Sequence, residues 1–418
     1  MDAQELEKWR ESFEQFHERF GGIFCRTEAR EQSGKYLQGL VSGAERKNGW
    51  QMAEEVGDAT PDKTQRLLYQ AKWEADEARN ELQAYVIEEL GEAEGIGIVD
   101  ETGFIKKGDK SAGVERQYTG TAGKIENSQV GTFLGYASGR GHTLIDRRLF
   151  VPEKWIGDEQ RRVQAKIPKE VKQQTKPEQA REMLEQAWGR GVPMKWVTGD
   201  EIYGNAPRLR DAVADNGRLY VFAVSSHTPM WVKRPKTCKP SAKTGGRPQK
   251  HPHLVTGAPK HCTVAEAAAT WPHTHWRRMT SSLGEKGPIQ YDWATMRIVE
   301  RVDRLPGRDS WLLVRRSISD PQELAFYLSN APADTSVETL ARIASQRYKI
   351  EQCFEEAKGE TGLDHYEVRY FHSWYRHITL SMMAHAWLTV TRAQAHEREL
   401  ALVDKHKKTM RPTTILHP

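Results

Sequence analysis

The chain has 418 residues, of which 38% are hydrophobic and 28% are charged. This length and apolar content are sufficient for two or three domains with buried cores. The net charge of +5 is too small to imply a polyanionic partner by itself. Four widely spaced cysteines without a CxxC pair argue against a disulfide framework, and no segment has the apolar length of a signal peptide or membrane span. We therefore expect a cytoplasmic protein with no membrane partner.

Residues 1–92 are predicted to form a helical domain, because apolar residues recur there at three- and four-residue spacing. Residues 48–57 and 64–73 predict two helices joined by a turn. Thr64 is the expected cap of the second helix, and Arg66 should face outward. Such a pair of helices fits the major groove of DNA, but it is equally compatible with an ordinary helical hairpin.

Residues 93–226 predict an α/β unit that begins with short apolar runs. Helices are expected at 178–191 and 206–217, where apolar residues recur with helical periodicity. The resulting order is β-β-β-α-β-α-β. The predicted strands cover residues 95–100, 128–137, 143–151, 195–200 and 218–225.

Residues 227–320 are predicted to form an inserted, basic and β-rich subdomain. Paired strands are expected at 291–302 and 310–317, around a turn at 303–309. Before them, glycine, proline and lysine are too frequent for regular structure, which predicts a loop. The basic residues from His227 to Lys260, a segment without an acid, are Lys233, Arg234, Lys236, Lys239, Lys243, Arg247, Lys250 and Lys260.

Residues 321–396 are predicted to supply the closing helices. The first should begin near Thr335, which starts a Thr-x-x-Glu capping box, and should continue to residue 359. The second covers 377–395. Residues 397–418 are expected to form a frayed basic tail.

Three acids are candidates for a shared site. Asp100 ends the first predicted strand and Asp200 the fourth, and polar groups at such strand ends can meet in one cleft. For each aspartate alone, capping of the following turn is an alternative. Glu351 shares a predicted helix face with Arg347 and Lys358, a pattern that an ordinary surface helix also shows. Carboxylates grouped without histidine favour Mg²⁺ or Mn²⁺, and two such ions about 3.5–4 Å apart can cleave phosphodiesters.

The sequence resembles bacterial insertion-sequence transposases of the DDE type. The matching segments are VDETGF at 99–104, VTGDEIYG at 197–204 and RYKIEQCFEEAK at 347–358. The last segment corresponds to the Tyr, Arg, Glu, Lys signature of that group. One difference is Ala344, which occupies the position expected for the signature tyrosine.

This resemblance implies an α/β fold with an RNase H-like catalytic core, in which a mixed five-stranded sheet is combined with helices. It also implies an inserted β-rich subdomain and an N-terminal helical DNA-binding domain. Asp100, Asp200 and Glu351 would be the catalytic triad and would bind two Mg²⁺ or Mn²⁺ ions. Arg347 and Lys358 would contact DNA phosphates.

The same resemblance implies double-stranded DNA as the partner, at terminal inverted repeats and at the target, with a homodimer on paired ends. The basic segment of the insertion would clamp DNA. Thr102 and Lys106 follow Asp100 closely and could touch a phosphate, but they are not included among the predicted site residues. Two alternatives remain: an RNase H-like nuclease without strand transfer, and a repurposed DNA-binding regulator.

Overall fold

The computed structural model describes residues 3–239, 251–284 and 287–409. The chain is a mixed α/β protein in which one large mixed sheet is covered by helices. The predicted DNA-binding residues Lys243, Arg247 and Lys250 lie outside the described residues. Within the described ranges, no helix combines the length and hydropathy needed to cross a bilayer.

The N-terminal region is helical, as predicted. Its second predicted helix begins earlier than expected, at Asp62, and Thr64 lies buried inside it, where its hydroxyl is 3.3 Å from Gln32 Nε2. Thr64 is therefore not the cap, although Arg66 is exposed as expected. The helices are α1 Ala3–Arg19, α2 Thr27–Val41, α3 Gly49–Glu55, α4 Asp62–Tyr69 and α5 Ala75–Leu90.

All five predicted strands of the next region are present, together with a polar strand, β2, that the apolar pattern did not reveal. The strands are β1 Ile96–Ile105, β2 Glu115–Thr119, β3 Lys124–Ala137, β4 His142–Leu149, β5 Trp196–Gly199 and β6 Leu219–Val224. β3 pairs antiparallel with β1, β2 and β4. β5 is parallel to both β1 and β6, so the predicted strands are adjacent in the order β4-β3-β1-β5-β6.

The prediction that Asp100 ends its strand is wrong, because β1 continues to Ile105. The pairing of β1 with β3 extends to Ile105, whereas its pairing with β5 ends at Val99 and Gly199. Asp100 therefore lies just beyond the end of the neighbouring strand β5, at a point where the other neighbour, β3, continues. The apolar run covers only the part of β1 that has a strand on each side, so it does not predict the polar continuation beyond Val99.

Helices follow β4 and β5. α8 begins with the capping box of Thr175 and Glu178, and both longer helices match the predictions. The helices of this region are α6 Glu153–Gly157, α7 Glu159–Gln164, α8 Lys176–Gly189, α9 Glu201–Gly204 and α10 Pro207–Asp215.

The inserted segment continues the same sheet, and it is joined to the core by a strand, Leu324–Ser329, in the region 321–396 that was predicted to contain only helices. β14 pairs antiparallel with β6, and β13, β12 and β7 follow in that order. The predicted turn at 303–309 is shorter than expected: Asp303 and Arg304, both with positive φ, join strands that continue into the expected turn. The elements are β7 Pro229–Trp231, β8 Thr237–Cys238, β9 His253–Leu254, β10 Cys262–Thr263, α11 Val264–Ala268, β11 Arg277–Gly284, β12 Gly287–Val302, β13 Leu305–Arg316 and β14 Leu324–Ser329.

The C-terminal region contains α12 Val337–Ser345, α13 Tyr348–Thr361 and α14 Phe371–Thr409. The single helix predicted from Thr335 is wrong in two respects. Ser336 caps α12 by accepting from the Thr339 amide, and the chain leaves the helix between α12 and α13. The predicted tail is also corrected, because α14 remains helical to Thr409; residues 410–418 lie outside the described residues.

A buried ionic network joins the N-terminal helices to the sheet. Arg79 on α5 contacts Asp146 on β4 with 2.6 Å between Nη1 and Oδ1. Arg147 Nη1 lies 2.8 Å from Asp76 Oδ1 and 3.4 Å from Asp146 Oδ1. Although burial opposes the change, Arg147 and Arg79 hold the pKa of Asp76 below its ordinary value. Every charge in this network therefore has an opposite partner.

Candidate active site

Asp100 and Asp200 are neighbours across the sheet. Val99 and Gly199 are paired in the parallel register of β1 and β5, so the residue that follows each of them occupies the adjacent position. Asp100 Oδ1 accepts from the Glu101 amide at 2.8 Å. Asp200 Oδ1 accepts from the Ile202 amide at 2.9 Å and caps α9. Asp200 thus combines the capping role with a position beside a second acid.

The two aspartates are electrostatically strained as a pair. Burial raises the pKa of Asp100 to about 8, with further contributions from Asp200 and Glu101. Burial, followed by Glu101, also raises the pKa of Asp200. A positive ion between the carboxylates would favour their ionised forms. Two oxygen donors of this kind fit Mg²⁺ or Mn²⁺.

Arg347 connects this pair to Glu351. Its Nη1 lies 3.5 Å from Asp100 Oδ2, and its Nη2 lies 2.7 Å from Glu351 Oε1. The Glu351 side chain is 43% exposed. Within the described parts of the chain, no three His, Cys, Asp or Glu side chains are grouped as a metal site. The structure therefore brings the two aspartates together and links Glu351 to them through a guanidinium.

Lys358 on α13 lies beside Thr102, which is two residues beyond Asp100 on β1. Its Nζ is 2.8 Å from Thr102 Oγ1 and 3.3 Å from Thr121 Oγ1. Burial lowers its pKa. Ile350 and Ala357 are fully buried and anchor α13 on the sheet. The polar side of this helix, which carries Lys358, therefore extends over β1. The stripe predicted from Arg347, Glu351 and Lys358 thus borders the acidic pair.

Three residues of the site were not singled out from the sequence. Glu101 accepts hydrogen bonds from Tyr203 Oη and Lys176 Nζ, each at 2.7 Å. Tyr203 is completely buried and lies in α9, directly after Asp200 caps it. Glu101 and Tyr203 fall within the motifs that contain the two aspartates, which was the available signal. Lys176 comes from the start of α8 and had none.

The described part of the basic segment lies far from the acids. Lys233, Lys236 and Lys239 are exposed, whereas Arg234 is paired with Asp309 at 3.0 Å. These residues follow β7, which is six strands from β1 in the sheet. The strand order therefore separates β7, which precedes these basic residues, from the strands that carry Asp100 and Asp200.

Comparison with known families places the fold and site in context. Residues 14–288 match the family model described as DDE superfamily endonuclease, which is more than half of the chain. The chain therefore belongs to the DDE superfamily endonucleases, and the family expected from its motifs is confirmed. The match includes Asp100 and Asp200 and ends before Glu351.

A particular relative is an insertion-sequence protein. Over 198 residues, 46% of this chain, the sequence is 30% identical to the probable transposase for insertion sequence element IS701 of Microchaete diplosiphon. The aligned stretch is 48% of that protein. The chain thus spans about half the length of the curated relative that it matches.

Proposed function

We propose that the protein is a transposase that cleaves DNA at the ends of its insertion sequence and joins those ends to target DNA in the cytoplasm. The observation that carries this proposal is the adjacent pair of Asp100 and Asp200, with Glu351 attached through Arg347. Membership in the DDE superfamily endonucleases supports the reaction class. The mixed order β4-β3-β1-β5-β6 supports an RNase H-like catalytic core.

Asp100, Asp200 and Glu351 would hold two divalent ions, Mg²⁺ or Mn²⁺. When bound, such ions activate water or a 3′-hydroxyl and stabilise the leaving oxygen of a phosphodiester. Arg347 occupies the position between Asp100 and Glu351 and matches phosphate in bidentate geometry. If the Arg347 guanidinium contacted a DNA phosphate instead of Glu351, the Glu351 carboxylate would be free to approach the two aspartates. Lys358 would offset the charge of the DNA backbone.

The DNA would extend beyond the acids. Residues 1–92 would act as a DNA-binding domain through the helices α3 and α4, whose exposed residues include Gln65 and Arg66. The insertion at 227–320 would clamp DNA through Lys233, Lys236 and Lys239, which remain exposed. Residues 93–226 and 321–396 would form the catalytic core. A homodimer would hold the two terminal inverted repeats together before they join the target.

A cleavage assay tests this function. Purified protein is incubated with a labelled duplex that carries the end of its element, in Mg²⁺, Mn²⁺ or EDTA, alongside the Glu351→Gln variant. Metal-dependent nicking and joining of 3′-ends to a target plasmid, both lost in the variant, are expected. Cleavage without joining would instead indicate a nuclease. Binding without cleavage in either metal would contradict an enzyme and leave a DNA-binding regulator.

A further inference from the structure

The feature beyond the carboxylates is a cluster of one ammonium and two hydroxyl groups. Lys358 Nζ contacts the hydroxyls of Thr102 and Thr121, which are 3.5 Å from each other. Among the described residues, no carboxylate forms an ion pair with Lys358. The cluster is therefore a positively charged site with an unused hydrogen-bond donor, and it lies beside the acidic pair Asp100 and Asp200.

Thr102 places the cluster on the catalytic face of the sheet. Thr102 follows Asp100 by two residues on β1, so both side chains point to the same side. Two residues of a strand span about 7 Å. An anion at Thr102 would therefore be separate from the phosphate that is cleaved at Asp100. In a bound DNA strand, it would be a flanking phosphate.

Thr121 comes from a different element, the turn between β2 and β3. That turn is fixed against β1, because Thr121 Oγ1 donates to the Gly103 carbonyl at 3.0 Å. Gly103 permits this close approach: a Cβ atom there would lie 1.7 Å from Thr119 Oγ1. The turn thus holds Thr121 where it can accept from Lys358 and aim the ammonium group.

The hydrogen-bond inventory fits an anion. Lys358 has three N–H donors, of which the two threonines accept two. Thr102 accepts from Lys358, so its own O–H is available apart from the long contact with Thr121. One N–H of Lys358 therefore remains for an external acceptor, and the Thr102 O–H can join it by giving up its 3.5 Å contact with Thr121. Phosphate oxygens are the acceptors that Lys and Thr bind on DNA backbones.

The family resemblance already implies that Lys358 contacts a DNA phosphate. We propose that Thr102 joins it in binding the phosphate that flanks the scissile phosphate, and that Thr121 is a positioning residue that aims the Lys358 ammonium. This inference rests on the DNA cleavage proposed above. It adds the hydroxyl of Thr102 and the β2–β3 turn to the surface that sets the register of the DNA strand.

The test is binding of element-end duplexes in EDTA, measured by fluorescence anisotropy, with single neutral methylphosphonates placed at successive positions around the cleavage point. Thr102→Val should lose about tenfold in affinity on the unmodified duplex. It should lose nothing further on the duplex whose flanking phosphate is neutral. Thr121→Val should show a smaller loss with the same positional dependence.

Two matched variants control for folding. Thr119→Val removes, from the end of β2 next to that turn, a hydroxyl that has no hydrogen-bond partner among the described residues, and it should bind like the wild type. Thr102→Ser keeps the hydroxyl and should restore binding. An equal loss by Thr102→Val on every duplex, or no loss on any, would overturn the proposal. Failure of the proposed function is distinct, since the wild type would then not cleave the duplex in either metal, whatever the Thr102 variants bind in EDTA.

Discussion

Two charge clusters, each built around a buried aspartate, lie on neighbouring parts of the sheet and differ in their balance. At β4 and α5, Asp146 and Asp76 contact the guanidinium groups of Arg79, Arg147 and Arg148. Beside β1 and β5, Arg347 pairs with Asp100 and Glu351, whereas the adjacent Asp200 forms no ion pair with a described residue. Buried ions are usually paired, because desolvation of an isolated charge is costly. In the first, balanced cluster each carboxylate contacts an arginine, so we expect it to be structural. In the second, unbalanced cluster acids outnumber their partners, which is why we propose that it binds an additional cation.

The largest expected effect comes from removing one charge of the unbalanced cluster. Asp200→Asn keeps an oxygen that can cap α9 but loses the carboxylate. Cleavage of the element-end duplex should fall about 10²–10⁴-fold, while DNA binding and melting temperature remain near those of the wild type. The control Asp211→Asn changes a half-exposed carboxylate on α10 that pairs with Arg308, and it should cleave normally. Cleavage by Asp200→Asn at the wild-type rate would contradict the assignment.

The balanced cluster should respond in stability instead of catalysis. Asp146 is fully buried, and its removal leaves Arg79 and Arg147 without their shared partner. Asp146→Ala should lower the free energy of unfolding by about 3–5 kcal/mol, measured by urea denaturation. An unchanged denaturation midpoint would show that the network does not hold the N-terminal helices to the sheet.

A weaker and salt-dependent effect is expected from the insertion. Replacing Lys233, Lys236 and Lys239 by glutamine should reduce affinity for duplex DNA and leave the stability unchanged, because all three side chains are exposed. If each contacts a phosphate, the slope of log affinity against log salt should become shallower by about 0.9 per lysine. An identical salt slope in the triple variant would exclude this segment as a clamp.

The smallest effect is a pH dependence of stability without metal. Since the pKa of Asp100 is raised to about 8, the folded state retains a proton that the unfolded chain releases near pH 4. Stability should therefore decrease as pH rises from about 4 to 8. Asp100→Asn should flatten this decrease and melt at a higher temperature than the wild type at pH 8. Parallel melting curves for both proteins would contradict the raised pKa.

Much of the core could be predicted from local pattern. The five apolar strands and the helices α8 and α10 follow from periodicity and caps, and Asp200 could be placed at a strand end. The polar end of β1 and the whole of β2 could not, because β3 stabilises them through pairing with a distant segment. The start of α12 was likewise ambiguous, because Ser336 and Thr335 are both residue types that cap helices. The break before Arg347 was hidden because apolar residues recur at helical spacing on both sides of it, as Ile343 and Ile350 show.

The residues of the site could be predicted from the sequence, but their spatial arrangement could not. The motifs contain Asp100, Asp200, Glu351 and Lys358, but no spacing reveals that Arg347 lies between two acids. Nor does local sequence show that Thr121 joins Lys358, since that contact depends on the closure of the β2–β3 turn. The distance between the basic segment and the acids also depends on strand order, which is a property of the whole sheet.

The central claim is that Asp200 binds a catalytic metal ion directly, and a change of ligand tests it most directly. Sulfur binds Mg²⁺ poorly and accepts softer ions more readily. Cleavage of the element-end duplex by Asp200→Cys should therefore be lost in Mg²⁺ and recovered in Mn²⁺, whereas the wild type is active in both. If Asp200→Cys cleaved the duplex in Mg²⁺ at the rate of the wild type, a metal-binding role for the Asp200 carboxylate would be contradicted.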